Sequence, residues 1–345
     1  MGGKKISGFT INENGVWEVS IPESNYYKWR FDQLYVNNKR AILARTPNLG
    51  FIKISGIEEK VWVKGTAPEK AQQILTFDEG DFNSLQKLSA GDFELIRFKA
   101  YHKWDFTIRY IDKNGLALFT SGDGMKPWNP IKKGDRLVLE NYEAALDSEG
   151  EWFLNKDGTL SYIPIPGQTP ENTEVIAPVL DNLITVMGDL ANNKLVEYVK
   201  FEGITFKHCQ YKLPQTGFEP NQAATEIPSA IMLEGARNIT FSNCEISQIG
   251  QHAIWFGKGC SNSLVSHCYL NNLGGGGIYL GSVAPFEGIG HNHHIKLDNN
   301  IIQSGGQEFP PSVGIWVGQS SDNEITHNDI GNFYYTGIPI GWVWG

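Results

Sequence analysis

The residues best equipped for chemistry lie in the last third of the chain. Glu287 and the cluster His291-Asn292-His293-His294 fall in one polar stretch, and six of the eight histidines follow Ser229. A carboxylate beside imidazoles suits proton transfer, so Glu287, His291 and His293 are the candidate catalytic groups. His291 and His293 share a face if the segment is extended. Metal binding would need further converging ligands, and no partner spacing supplies them, so no metal site and no cofactor is expected. A polar sugar-contacting loop and a plain solvated loop remain the competing readings of this stretch. For Glu287 itself a solvated surface role competes with an acid role.

A second set is aromatic. Trp255, Tyr279 and Trp316 occupy the same place in a repeated phrase: Ala253-Ile254-Trp255-Phe256-Gly257, Gly277-Ile278-Tyr279-Leu280-Gly281 and Gly314-Ile315-Trp316-Val317-Gly318. Gly337-Ile338-Pro339-Ile340-Gly341 continues the series and Ala230-Ile231-Met232-Leu233 begins it. Exposed aromatic rings at fixed intervals would suit the flat apolar faces of sugars, with Trp342 and Trp344 as further contacts. A loop or a second domain covering the rings is the alternative.

The spacing identifies the element that must carry these residues. Measured from Ile231 through Ile254, Ile278 and Ile315 to Ile338, the steps are 23, 24, 37 and 23 residues. A repeat of this length implies a solenoid. A second β-branched phrase recurs in step: Ile204–Cys209, Ile239–Cys244, Leu264–Cys268, Ile295–Asn300 and Ile325–Asn328. Short alternating segments with Gly or Asn between them and no helical stretch indicate a right-handed parallel β-helix. In a strand, neighbouring side chains alternate faces. If Ile254, Ile278 and Ile315 point inward, Trp255, Tyr279 and Trp316 point outward, stacked with Met232 and Pro339. The second phrase places Cys209, Cys244, Cys268, Asn300 and Asn328 in one internal corner column. No CxxC pair exists, which argues against zinc.

Residues 211–228 and 282–294 interrupt the repeat, and solenoid insertions often mark the binding side. The four glycines Gly274 to Gly277 precede a strand rather than a helix, so a phosphate cradle is excluded. They suit a tight corner or a close ligand approach.

Before the repeat the chain reads as a separate β module over 15–166, with segments 1–14 an early piece of the β-helix and 167–345 the β-helix proper. Strands are expected at 16–19, 33–36, 40–45, 60–63, 93–98, 106–110, 136–139, 151–154 and 159–162. A tight hairpin at Asn37-Asn38 and short helices over 68–75 and 81–89 complete the reading. The fold class is all-β: a right-handed parallel β-helix with an inserted sandwich-like domain.

Net charge is -9 with no basic stripe, which argues against nucleic acid as partner. With three Lys or Arg against eight Asp or Glu after Ser229, an acidic polymer is not the obvious ligand. No apolar run is long enough to span a membrane, and the N-terminus lacks the apolar core of a signal peptide.

Gly3-Lys4-Lys5-Ile6-Ser7-Gly8, Gln33–Asn37 with Arg40-Ala41, Ala44–Asn48, and Phe333–Gly337 with Gly341-Trp342 together resemble the right-handed β-helix proteins related to glycoside hydrolase family 141. The resemblance covers essentially the whole chain. It implies a bacterial, secreted or periplasmic enzyme acting on plant cell-wall polysaccharides or oligosaccharides, with a β-rich domain set between early coils. Relatives also carry a signal peptide and further coils, one with an acidic residue just before a Gly-Gly-Ile-Tyr-like strand. The corresponding positions here hold Gly274, Pro311 or Tyr334. By this resemblance the chain is an internal fragment whose catalytic carboxylates lie partly beyond Gly345. A polysaccharide lyase on the same fold and a non-catalytic carbohydrate-binding β-helix are the alternative functions.

Overall fold

The structure is a computed structural model that describes residues 1–61, 71–77, 94–99, 102–112, 117–120, 132–212, 218, 220–284 and 288–341. Glu287, Trp342 and Trp344 lie outside the described residues, as does the segment 81–89.

Among the described residues the repeat forms five coils of three parallel sheets, a right-handed β-helix. The first sheet runs Ile184–Met187, Ser229–Glu234, His252–Phe256, Ile278–Gly281, Ile315–Gly318. Its register pairs Ile231, Ile254, Ile278 and Ile315 in one column and Met232, Trp255, Tyr279 and Trp316 in the next. The isoleucines are fully buried in the lumen with Leu233, Phe256 and Leu280, as the alternation requires. Each such side chain contributes about 1.5–3 kcal/mol through burial.

The corners explain much of the polar sequence. Gly203, Asn243, His267, Asn299 and His327, each directly after a paired residue of the second sheet, all have φ between 52° and 65°. Tyr198, Asn238, Asn262, His294 and Asp322 form a second left-handed column, with φ from 50° to 57°. Asn and Gly adopt this conformation at least cost. His267, His294 and His327 therefore hold turn positions in the coil.

The internal corner ladder is present, with one change of register. Thr205, Glu245, Tyr269 and Ile301 are paired in the third sheet, so the preceding residues Ile204, Cys244, Cys268, Asn300 and Asn328 share a column. Cys209 is not a member. It sits further along the strand, at the lumen position that Ile249 and Leu273 take in the next coils. The two asparagines act as expected: Asn300 Nδ2 donates to Val265 O at 2.9 Å, and Asn300 Oδ1 accepts from the Cys268 N–H at 3.0 Å. Asn328 Oδ1 accepts from the Asn300 N–H at 3.1 Å, so the amides satisfy turn groups from coil to coil. All four cysteines are free and at most 2% exposed. Burial pushes the thiols of Cys209 and Cys260 up to about 12 and that of Cys268 to about 11. None of the four is expected to react with a thiol reagent in the native state, because all are buried away from the reagent. Rapid labelling without denaturant, read by mass spectrometry, would contradict the packing.

Residues ahead of the repeat form mostly antiparallel sheets, with Ile42–Leu43 pairing parallel to Glu151–Leu154. One contains Gly3–Ile6, Val175–Pro178, Tyr35–Val36 and Lys39–Arg40; its hairpin turns through Asn37 and Asn38, both at positive φ. A second contains Thr10–Ile11, Trp17–Ser20, Thr159–Tyr162, Glu151–Leu154 and Ile42–Leu43. Between these two lies a core of Ile6, Val36 and Val175 against Trp17, Trp152, Leu160 and Tyr162. The third sheet includes Ala71–Thr76, where a helix over 68–75 was expected. That segment pairs on both sides, with Gly56–Val61 and Ala117–Thr120, and cross-strand bonding overrides its local preference. Gly3–Ile6 pairs antiparallel with Val175–Pro178, and the Gly2 N–H reaches Lys207 O of the first coil at 2.8 Å.

One arginine fastens this module to the β-helix. Arg40 donates to Asn272 Oδ1 at 3.1 Å, Glu308 Oε1 at 2.8 Å and Ile249 O at 2.7 Å, and its guanidinium lies over the Tyr35 ring.

Candidate functional site

The outer face of the first sheet carries the aromatic column, and the rings do touch. Tyr279 lies 5.6 Å from both Trp255 and Trp316 between ring centroids. The motif's last glycine makes room for them. A Cβ on Gly318 would stand 2.3 Å from the Trp316 ring, so the indole folds down over the backbone there.

The expectation of an exposed platform is corrected. Tyr279 and Trp316 are 0% exposed, and only Trp255 is half-buried. They face outward from the lumen but lie beneath residues 220–228 of the first insertion and the loop over 306–313. Ala223 and Val313 pack directly on Tyr279 and Trp316, with Tyr335 at the edge. The two covering segments are joined by Tyr211, Phe218 and Phe309, whose ring centroids are 5.8–6.2 Å apart. Alanine at Tyr279 or Trp316 would therefore empty a packed site rather than trim a free surface.

His252, which the sequence reading did not single out, completes the group. Its ring is 0% exposed and stacks on Tyr279 at 3.9 Å and 23°. Nδ1 accepts from the Gly276 N–H at 2.6 Å, so the proton sits on Nε2 and is donated to Ala224 O at 2.9 Å. Burial pulls its pKa down to about 3 despite the favourable carbonyl of Ala224, leaving the imidazole neutral. The signal for it in the sequence was the glycine run one repeat later. A Cβ on Gly275 would stand 2.6 Å from His252 Nδ1, and one on Gly276 would meet Tyr279 at 2.6 Å. The glycines thus serve close packing between coils.

The hydroxyl of Tyr279 donates to Ala223 O, and burial drives its pKa upward. Trp255 Nε1 donates to Gly281 O at 2.8 Å. Gln222 Nε2 donates to the Tyr335 hydroxyl. Among the described residues the indole N–H of Trp316 meets no acceptor. Among the described residues no carboxylate takes part in these hydrogen bonds, and no charged group contributes to the shifts of His252 or Tyr279. By itself the arrangement moves no proton at neutral pH.

The histidine cluster lies on another face. His291 and His293 belong with the second sheet, where His293 pairs with Ser261 and Ser321. His291 Nε2 bonds to Ser321 Oγ at 2.9 Å, and Ser321 donates onward to Asp322 Oδ2 at 2.7 Å. A serine whose proton points at a carboxylate is not activated by the histidine, so this is no nucleophilic triad. His293 Nδ1 is 2.8 Å from His294 Nδ1; burial first, then the neighbouring His294 and His291, holds its pKa low. Among the described residues no group of three or more potential ligands is arranged to hold a metal. The structure does not bring His291 and His293 to the aromatic column.

Residues 188–330 match the family described as right handed beta helix region. No curated protein sequence matches the chain significantly. Among solved structures, one described as a glycoside hydrolase superposes with a TM-score of 0.86 at 22% identity, over 99% of this chain and 65% of its own. A second, XylC in complex with xylose, gives a TM-score of 0.48 at 13% identity, over 99% of this chain and 48% of its own. The chain thus spans less than two thirds of either protein. The first likeness is one of fold, at a level where chemistry must be argued from the site itself.

Proposed function

We propose that this chain is the carbohydrate-engaging part of a β-helix glycoside hydrolase related to family 141, acting on plant cell-wall or similar polysaccharides. The observation that carries the reading is the aromatic column of the first sheet, of which Trp255 remains partly exposed. Apolar ring faces bind the C–H face of a sugar, while N–H and O–H groups on the same rings meet its hydroxyls. The hydrolytic step would require two carboxylates, one to protonate the leaving oxygen and one to activate water or attack the sugar. Within this chain Glu287 is the first to mutate. A secreted or periplasmic bacterial setting belongs to the same reading.

The test is an array of neutral and acidic plant cell-wall oligosaccharides probed with the chain, and the Trp255→Ala variant beside it. Retention of neutral glycans is expected, with roughly tenfold weaker binding for the variant, the equivalent of about 1.4 kcal/mol. Binding of no glycan by the wild type would refute the proposal. New reducing ends mark hydrolysis, whereas unsaturated product absorbing in the ultraviolet would assign a lyase instead.

A further inference from the structure

Three ring donors belong to the packed group around Ala223: His252 Nε2–H, the Tyr279 hydroxyl and Trp316 Nε1–H. Two are met by consecutive backbone carbonyls, those of Ala224 and Ala223. The third is fully buried and has no acceptor among the described residues. An unmet buried donor is destabilising, and phenylalanine would avoid it. The two alanines that supply the carbonyls are themselves unusual. Ala223 and Ala224 have φ of 60° and 52°, consecutive left-handed residues without glycine, in a turn that is 0% exposed at both. Each carries a steric penalty that persists only because the surroundings impose it.

A short backbone turn is thus held in strain over a flat ring surface, offering two oxygens to a set of three donors. We propose that the Gln222–Ala224 turn occupies a cryptic sugar subsite, and that an uncharged pyranose displaces it to stack on Tyr279 and Trp316 and accept from all three donors. This rests on the carbohydrate reading above. The ligand class follows from the donors: all are neutral, all lie on apolar rings, and the bond left unmade calls for one more oxygen. The link between Gln222 and Tyr335 ties the turn to the edge of the last coil, so it acts as the latch.

The test has a part that needs no sugar. Amide hydrogen exchange on the whole chain should be much faster in 220–228 than in Ser229–Glu234 and His252–Phe256, the strands beneath. Equal protection would overturn a displaceable turn. Xylohexaose, cellohexaose and mannohexaose are then titrated by intrinsic tryptophan fluorescence. Tyr335→Phe releases the latch and should tighten binding about threefold to fivefold, because more of the protein is competent to bind. Trp316→Phe should weaken it about tenfold. Unchanged affinity in Tyr335→Phe, with glycan binding that still depends on Trp255, would overturn this inference and leave the carbohydrate reading standing. Fast exchange in 220–228 with no binding of any hexaose would overturn both.

Discussion

Lowering the pH from 7 to 5 is expected to lower the unfolding free energy by about 4 kcal/mol, through two buried histidines. His252 is held down to about 3 by burial, and His208 to about 4 by burial first, then by Lys207 and the N-terminal amino group. Unfolded, each titrates near its ordinary value of about 6.5. Above that pH neither state binds the proton and their full contribution is present. As pH falls below it, the unfolded chain takes up protons that the native rings refuse, so stability is lost progressively towards pH 3–4. At pH 5 each histidine accounts for about 2 kcal/mol. The lowered pKa of His293 acts in the same direction. Glu151, raised by burial, acts oppositely, since its native carboxyl takes up a proton before the unfolded one. His208 has no partner at either ring nitrogen among the described residues and sits at φ 64°, a conformation asparagine accepts. His208→Asn should therefore fold and remove about half the pH dependence. Urea denaturation at the two pH values measures this, and identical midpoints for the wild type would show that the rings are not sealed.

The second large effect is expected at Arg40. Arg40→Met should cost about 3 kcal/mol, because it withdraws one guanidinium from three partly buried acceptors at once. These are Asn272 Oδ1, Ile249 O and the Glu308 carboxylate, and the arginine is only 13% exposed. Arg40→Lys should recover less than half, since a single ammonium cannot span that fork. Glu308 belongs to the loop whose next residue, Phe309, packs with Tyr211 and Phe218. Loosening at Arg40 should therefore reach the cover over Tyr279 and raise amide exchange in 220–228. A melting temperature unchanged by Arg40→Met would remove this clamp from the account.

Much of the β-helix was legible because its signal is local and repeated. The Ile-aromatic-X-Gly phrase sets one residue inward and the next outward, and the observed register keeps Ile254, Ile278 and Ile315 in one lumen column. Asn37-Asn38 specified its hairpin for a similar reason, since few residues accept two positive φ angles in succession. The first coil was harder. Both 199–204 and 204–209 fit the second phrase, each with a phenylalanine in the third place, and only pairing of Phe201 with Phe241 selects the former. That choice moved Cys209 out of the corner column.

By itself, then, the sequence determined the repeat, the strands of its coils, the lumen residues and the outward direction of Trp255, Tyr279 and Trp316. Periodicity encodes these through alternation of side chains, which needs no knowledge of distant segments. Only the tertiary structure decided whether those rings meet water. The described residues of the 211–228 insertion have no repeat to follow, and where they lie depends on contacts with residues up to 113 positions away: Phe309 against Phe218, Tyr335 against Gln222. Burial of Tyr279, the fixed tautomer of His252 and the separation of His291 and His293 from the aromatic column all follow from that packing. They are properties of segments meeting in space, and no spacing along the chain records them.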